Sequence, residues 1–209
     1  PTRKKQILKL RDGQIRNAFL MLLLSQGTPC ILAGDEFANS QNGNNNVYCQ
    51  DNDTAWVNWK RAEKEKWLTD YVKELIRFRK EHRILHPAEE CQGIDLTHCG
   101  VPDVSYHGEN AWQVPSEIAS RQLGVFYSGA QKGETDLYIA YNMHWEDHTF
   151  ALPSLPKGKR WKKIFTTTLQ EGFLESNGEI CQERKAVIEA RSIAVFTGET
   201  YESEDTRKK

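Results

Sequence analysis

The 209 residues carry 28 Lys and Arg against 29 Asp and Glu, a formal net charge of −1. So even a balance excludes the one-signed field that recruits nucleic acid or an anionic membrane surface, and no run reaches the roughly 18 apolar residues of a membrane-spanning helix. The length suits one or two domains with a real core.

The five cysteines, Cys30, Cys49, Cys91, Cys99 and Cys181, are odd in number and scattered. They do not read as a disulfide framework, and a reducing, cytoplasmic setting is the simpler inference. Cys91 and Cys99 stand near His98 and His107, but there is no CxxC pair and no common zinc spacing, so neither a metal nor a cofactor is expected. The chain opens at Pro1 on the basic stretch Thr2-Arg3-Lys4-Lys5, which reads as a piece cut from something longer.

In chain order, apolar positions from Ile7 begin at helical spacing and fill in completely from Ala18 to Leu24, predicting a helix buried on most sides that Gly27 ends at C′. Thr28-Pro29 starts a new element, because the residue before proline is pushed out of the helical region. Cys30-Ile31-Leu32-Ala33 is short, apolar and continuous, as expected of a strand buried on both faces of a parallel sheet. It delivers a long polar loop, Gly34 to Trp59, rich in Asn, Gln, Gly and Asp and holding Tyr48 and Trp56. Loops this long in compact domains are usually functional or disordered, and the aromatics argue for function. A second helix, about Glu63 to about Glu81, carries an amphipathic stripe of Leu68, Tyr71, Val72, Leu75, Ile76 and Arg79, with Trp67 and Phe78 on its flanks.

After His86-Pro87 the period changes to short runs of β-branched and aromatic residues. Strands are expected at Val104 to Tyr106, Leu123 to Tyr127, Leu137 to Met143, Thr149 to Leu152, Arg160 to Phe165 and Ala186 to Phe196, separated by turns that include Asn177-Gly178. This reads as an antiparallel sandwich. The segment His107 to Arg121 reads as a surface loop, and the charged tail from Glu199 to Lys209 as fraying. Cys49 with a distant His, and Ser105 with His107, are weak as nucleophile constellations. Tyr106, Trp112, Trp145 and Trp161 are expected in the core or a domain interface.

One stretch is specific. Leu22 to Trp59, LLLSQGTPCILAGDEFANSQNGNNNVYCQDNDTAWVNW, resembles the end of the catalytic domain in debranching enzymes of the α-amylase superfamily, the glycogen-debranching, isoamylase and pullulanase-like group. Glu74 to His82, Pro102 to Gly108 and Ala190 to Phe196 resemble the same family. The stretch after Trp59 is shorter than the family's, and the β-rich loops diverge.

The resemblance implies that residues 1–85 end a (β/α)8 catalytic barrel, with two helices and its eighth strand, and that 86–209 form the terminal antiparallel β-sandwich. The rest of the barrel would lie upstream in the same polypeptide, and the substrate of the whole would be a branched α-glucan. Active sites of such barrels sit at the C-terminal ends of the strands, so the loop would form part of the cleft wall. Asn44, Asn45, Asn46, Tyr48, Gln50 and Asp51 then become candidate substrate contacts, the amides offering donors and acceptors to sugar hydroxyls and Tyr48 or Trp56 a stacking face. Asn is equally a turn residue that caps its own backbone, and for the Asn cluster both readings stand.

Asp35 and Glu36 are the carboxylate pair nearest this site. A retaining glycosidase needs two carboxyl groups roughly 5 Å apart across one bond, whereas neighbours on an extended chain point to opposite faces. The expectation is that Asp35 and Glu36 anchor the loop to the barrel rim. The family's catalytic carboxylates occur in motifs upstream of this region and none is present here, so the chain alone is expected to be inactive. A non-catalytic carbohydrate-binding or structural β module is the alternative.

Overall fold

The computed structural model describes residues 2–114, 117, 119–174 and 178–201. The expected turn residue Asn177, part of the surface loop before Arg121 and the tail from 202 lie outside the described residues. Among the described residues three α-helices are followed by eight strands: α1 Lys5–Leu24, α2 Lys60–Lys64, α3 Lys66–Glu81, β1 Val104–His107, β2 Gln122–Tyr127, β3 Leu137–Asn142, β4 His148–Ala151, β5 Lys159–Thr166, β6 Glu179–Ile180, β7 Lys185–Ile188 and β8 Ser192–Thr200. Six strands form one antiparallel sheet in the order β1-β2-β3-β8-β5-β6, and β4 and β7 form a second, two-stranded one.

The large sheet separates two cores. Side chains alternate between the faces of a strand, and here Val125, Tyr127, Leu137, Ile139, Ile193 and Val195 meet the helices. There they join Phe19, Leu20, Leu23 and Leu24 of α1 and Leu68, Tyr71, Val72, Leu75 and Phe78 of α3. The residues between them, Phe126, Tyr138, Ala140, Ala194 and Phe196, face the other way and pack with Phe150, Leu152, Trp161 and Ile188 under the small sheet. The helix-side core therefore runs without a break across residue 85, the expected domain boundary.

Polar contacts fasten the same layers. The Tyr71 hydroxyl donates to the Arg16 carbonyl (3.1 Å), Arg16 Nε donates to the Thr167 carbonyl (2.8 Å), and Asn17 Nδ2 donates to the Arg191 carbonyl (2.8 Å).

Several expectations are corrected. Thr28 to Ala33 forms no strand, and Leu32 is 61 % exposed. A doubly buried strand needs hydrogen-bonded neighbours on both edges, and no described strand lies beside this one. Helix α1 leaves helical geometry at Ser25, with Gly27 reaching φ 88° two residues later, and Met21 is exposed where burial on most sides is expected. The second helix is divided at Glu65 (φ −102°, ψ 30°) into α2 and α3. The run from Ala186 to Phe196 is two strands, because Arg191 takes a left-handed φ of 55° between them. Strand β6 is missed by pattern, its two residues being exposed. Glu199 and Thr200, expected to fray, close β8 opposite Arg160 and Lys159.

Candidate functional site

The loop begins at Gly34, where φ is 97° and a Cβ would sit 2.6 Å from that of Asn39. Only glycine fits this left-handed, crowded position. Asp35–Phe37 then make one 3₁₀ turn, closed by Ala38 in the left-handed region. Asp35 and Glu36 are thus not on an extended strand, so the opposite-faces argument does not describe them. Glu36 turns its carboxylate back onto the Gly34 amide (2.9 Å), and its carbonyl accepts from Thr69 Oγ1 of α3 (3.0 Å). Phe37 is buried and packs on the Trp59 ring at 5.5 Å between centroids. The two ends of the loop are joined by Asn39 Oδ1, which accepts from the Asn58 amide (3.0 Å).

Between those ends the side chains serve the backbone. Asn44 Oδ1 accepts from the Asn46 amide (2.9 Å), Asn46 Oδ1 from the Tyr48 amide (3.0 Å) and Asn52 Oδ1 from the Thr54 amide (2.9 Å), a succession of Asx turns. Gln50 Oε1 accepts from Asn52 Nδ2 (2.8 Å), and Asp51 Oδ1 from the Trp56 indole (2.9 Å). The carbonyl oxygens of Asn44 and Asn46 are thereby engaged internally, while their NH₂ groups, Asn45 and the Tyr48 ring face solvent, Tyr48 at 84 % exposure.

A groove of about 570 Å³ lies between α1 and the base of the loop, walled by Arg11, Ile15, Phe19, Asp35, Asn39 and Arg61. Asp35 faces it; Asn44 to Asp51 are not among its walls.

Arg79 holds the platform from beneath. Its guanidinium, buried at the end of the α3 stripe, donates to the carbonyls of Leu23 (2.7 Å), Ser25 (2.6 Å) and Gly27 (2.6 Å). These oxygens include ones that the C-terminus of α1 leaves without an intrahelical partner, where the helix dipole also favours a cation. Burial holds the Arg79 guanidinium below its usual range, though it stays charged. Its place in the stripe marks it in the sequence; its part in fixing the approach to the loop depends on α1 lying parallel beside α3, Tyr71 reaching Arg16 and Arg79 reaching the end of α1, and is invisible there.

The remaining candidates are dispersed. The Cys91 thiol accepts from Gln26 Nε2 (2.7 Å), burial pushing its pKa up, whereas Cys99 sits by the Val101 carbonyl (3.4 Å). All five cysteines are free thiols. Ser105 does lie 2.9 Å from His107 Nε2, but His107 Nδ1 accepts from the Trp112 amide (2.6 Å), so Nε2 carries the proton and donates to Ser105 Oγ. A ring in that tautomer cannot take the serine proton, and burial lowers the His107 pKa to about 4. Trp161 is buried as expected, while Tyr106, Trp112 and Trp145 are exposed, Trp145 to 55 %. Pattern reasoning also misses His144, Glu146 and His148, which the β3–β4 turn gathers; the signal is the alternating His-x-Glu-x-His.

No protein-family model matches the chain. Individual proteins do. It is 31 % identical over 182 residues to a glycogen operon protein GlgX homolog of Mycobacterium bovis, covering 77 % of this chain and 24 % of that protein. Chloroplastic isoamylase 1 of Arabidopsis thaliana is 31 % identical over 166 residues, 78 % of this chain and 19 % of its own. A glycogen debranching enzyme of Escherichia fergusonii is 47 % identical over 75 residues, 36 % of this chain and 11 % of its own.

By sequence the chain is a relative of the α-amylase-family debranching enzymes. It spans about a quarter or less of the length of these relatives. Its fold agrees with that of this group: a pullulanase from Bacillus acidopullulyticus superposes over 90 % of this chain and 20 % of its own, with a TM-score of 0.66 at 16 % identity. The Paenibacillus barengoltzii pullulanase solved with maltohexaose and α-cyclodextrin gives 0.63 at 20 % identity, over 90 % of this chain and 25 % of its own. No helix among the described residues is long and apolar enough to cross a membrane.

Proposed function

We propose that this chain is the C-terminal portion of a retaining glycoside hydrolase that cleaves α-1,6-glucosidic branches of glycogen- or starch-type glucans. Residues 1–85 end its (β/α)8 barrel and 86–209 form its β-sandwich domain. The chain supplies one wall of the substrate cleft and no catalytic carboxylate. The observation that carries this reading is the Gly34–Trp59 loop, clamped at both ends by Thr69, Phe37 and Asn39 and turning Tyr48 and the amides of Asn44, Asn45 and Asn46 outward, in a chain related to debranching enzymes. The apolar groups that α1 leaves exposed, Ile7, Leu10 and Met21, with Leu32 after it, fit a surface that the preceding part of a barrel covers.

Assays for reducing ends on glycogen, amylopectin and pullulan test the catalytic half of the reading. The 209-residue chain is expected to release none, and release that survives repurification overturns it. Affinity electrophoresis in glycogen gels tests the cleft wall. Tyr48→Ala is expected to weaken retardation about 2- to 12-fold, the value of one aromatic contact of about 0.5–1.5 kcal/mol. Retardation unchanged in Tyr48→Ala and relieved in Trp145→Ala would instead favour a carbohydrate-binding β module, a reading that the exposure of Trp145 supports.

A further inference from the structure

At the β3–β4 turn, His144 Nδ1, His148 Nε2 and a Glu146 carboxylate oxygen lie within 4.8 Å of one another. His148 Nε2 is 3.0 Å from His144 Nδ1, which is 3.9 Å from Glu146 Oε2. Zinc bound at roughly 2.0–2.1 Å by nitrogen or oxygen has tetrahedral ligands about 3.3–3.4 Å apart. The observed separations bracket that edge. The exposed Glu146 side chain needs only a rotamer adjustment to meet it.

The hydrogen-bond network assigns both tautomers. Gln122 has its Oε1 fixed as acceptor by Ser120 Oγ (3.2 Å) and the Arg121 amide (3.1 Å), so its Nε2 donates to His148 Nε2 (3.2 Å). On the other side of the ring, His148 Nδ1 donates to the Glu109 carboxylate. His144 Nδ1 in turn accepts from the Glu146 amide (3.2 Å). Both facing nitrogens are therefore unprotonated and 3.0 Å apart, and a metal bound at their lone pairs takes the place of the Gln122 and Glu146 amide donors. Glu109 behind His148 is the carboxylate–histidine pair that orients metal-bound imidazoles and raises their basicity.

The turn is built to hold this arrangement. Asn142, fully buried, accepts from the His144 amide (3.1 Å) and donates to the carbonyls of Glu146 (2.8 Å), Ile188 (2.9 Å) and Glu189 (3.1 Å). Asp147 is committed elsewhere, accepting from the Ala190 amide (2.8 Å). Trp145 stacks on the His144 ring at 4.0 Å and fixes its plane.

We propose that His144, Glu146 and His148 bind a divalent first-row metal of the imidazole-preferring kind, zinc above all, with Glu109 as positioning residue and a water in the fourth place. The metal staples the β3–β4 turn to the loop carrying Glu109, through His148. This rests on the turn alone and is independent of any glucan chemistry.

The test is isothermal titration of the 209-residue chain with zinc chloride, paired with absorption spectra of the cobalt(II) form. Saturable one-to-one binding is expected, with cobalt d–d bands and no thiolate-to-cobalt charge transfer. His148→Ala should abolish binding, and Glu109→Gln, at a half-exposed position outside the ligand set, should weaken it about 10- to 100-fold. Circular dichroism of each variant separates loss of ligand from loss of fold. No saturable binding overturns the proposal. So do a thiolate charge-transfer band, or zinc affinity unchanged in folded His148→Ala or Glu109→Gln.

Discussion

Arg79 directs a buried positive charge at three carbonyl oxygens, those of Leu23, Ser25 and Gly27. Hydrogen bonds from a charged donor contribute about 1.5–3 kcal/mol each, and they are not additive. Arg79→Met, which keeps the stem and removes the donors, is expected to cost about 2–4 kcal/mol in urea unfolding. A midpoint unchanged from wild type would show that the α1 terminus does not need it. His107 makes a second prediction. Its folded pKa of about 4 lies below the ordinary 6.5, so folding favours the neutral ring. That contribution is complete above about pH 6.5 and is lost as the pH falls towards about 4. In this window the wild type should lose stability by up to about tenfold in its unfolding constant per pH unit relative to His107→Gln. Parallel stability curves for the two proteins between pH 7 and 4.5 would contradict it. Neither behaviour is written in residue type: Arg79 and His107 stand in ordinary helix and strand patterns, and only packing makes one a cap and the other a buried neutral ring.

The elements themselves were legible where a period persists. Helix α3 keeps its stripe for three turns, and β1, β2 and β3 fall within a residue or so of the expected spans. Pattern fails where partners decide. Cys30 to Ala33 has the composition of a buried strand but, among the described residues, no strand beside it, and the run through Ala186 to Phe196 hides a left-handed residue that no periodicity reveals. The loop was legible as a loop, and its Asn residues as turn formers or sugar contacts; the Asx turns at Asn44 and Asn46 use their oxygens, leaving the NH₂ groups as what they offer outward. Pairing of strands also explains Gly124 of β2. A Cβ there would lie 2.1 Å from the Tyr138 hydroxyl and 2.6 Å from its ring. Gly124→Ala should therefore destabilise by about 1–3 kcal/mol. The same hydroxyl is buried without a hydrogen-bond partner, so Tyr138→Phe is expected to be neutral or to stabilise by up to about 1 kcal/mol. Thermal melts of the two variants check both, and a large loss in Tyr138→Phe would mean the hydroxyl has a partner after all.

At the scale of the molecule, the sheet is a wall with a core on either side, and adjacent residues of β8 belong to different rooms: Val195 to the helices, Phe196 to the small sheet. Because Leu20 and Leu75 cover the same face as Leu137 and Ile139, the helices and the sheet are expected to melt together in one transition by circular dichroism and tryptophan fluorescence. Two separated midpoints would contradict it. The sequence could announce two kinds of element on either side of His86-Pro87, but not that they share apolar surface, since that depends on which face each strand turns to the helices. The consequence concerns anyone who cuts the chain. A protease that nicks the stretch between Leu85 and Val104, where no regular element is formed, should leave two fragments that remain associated and elute as one species. Expressing 86–209 alone would instead lay bare Val125, Ile139, Ile193 and Val195 together, an apolar patch of the kind that drives aggregation, so the β portion keeps its solubility only in the company of the helices.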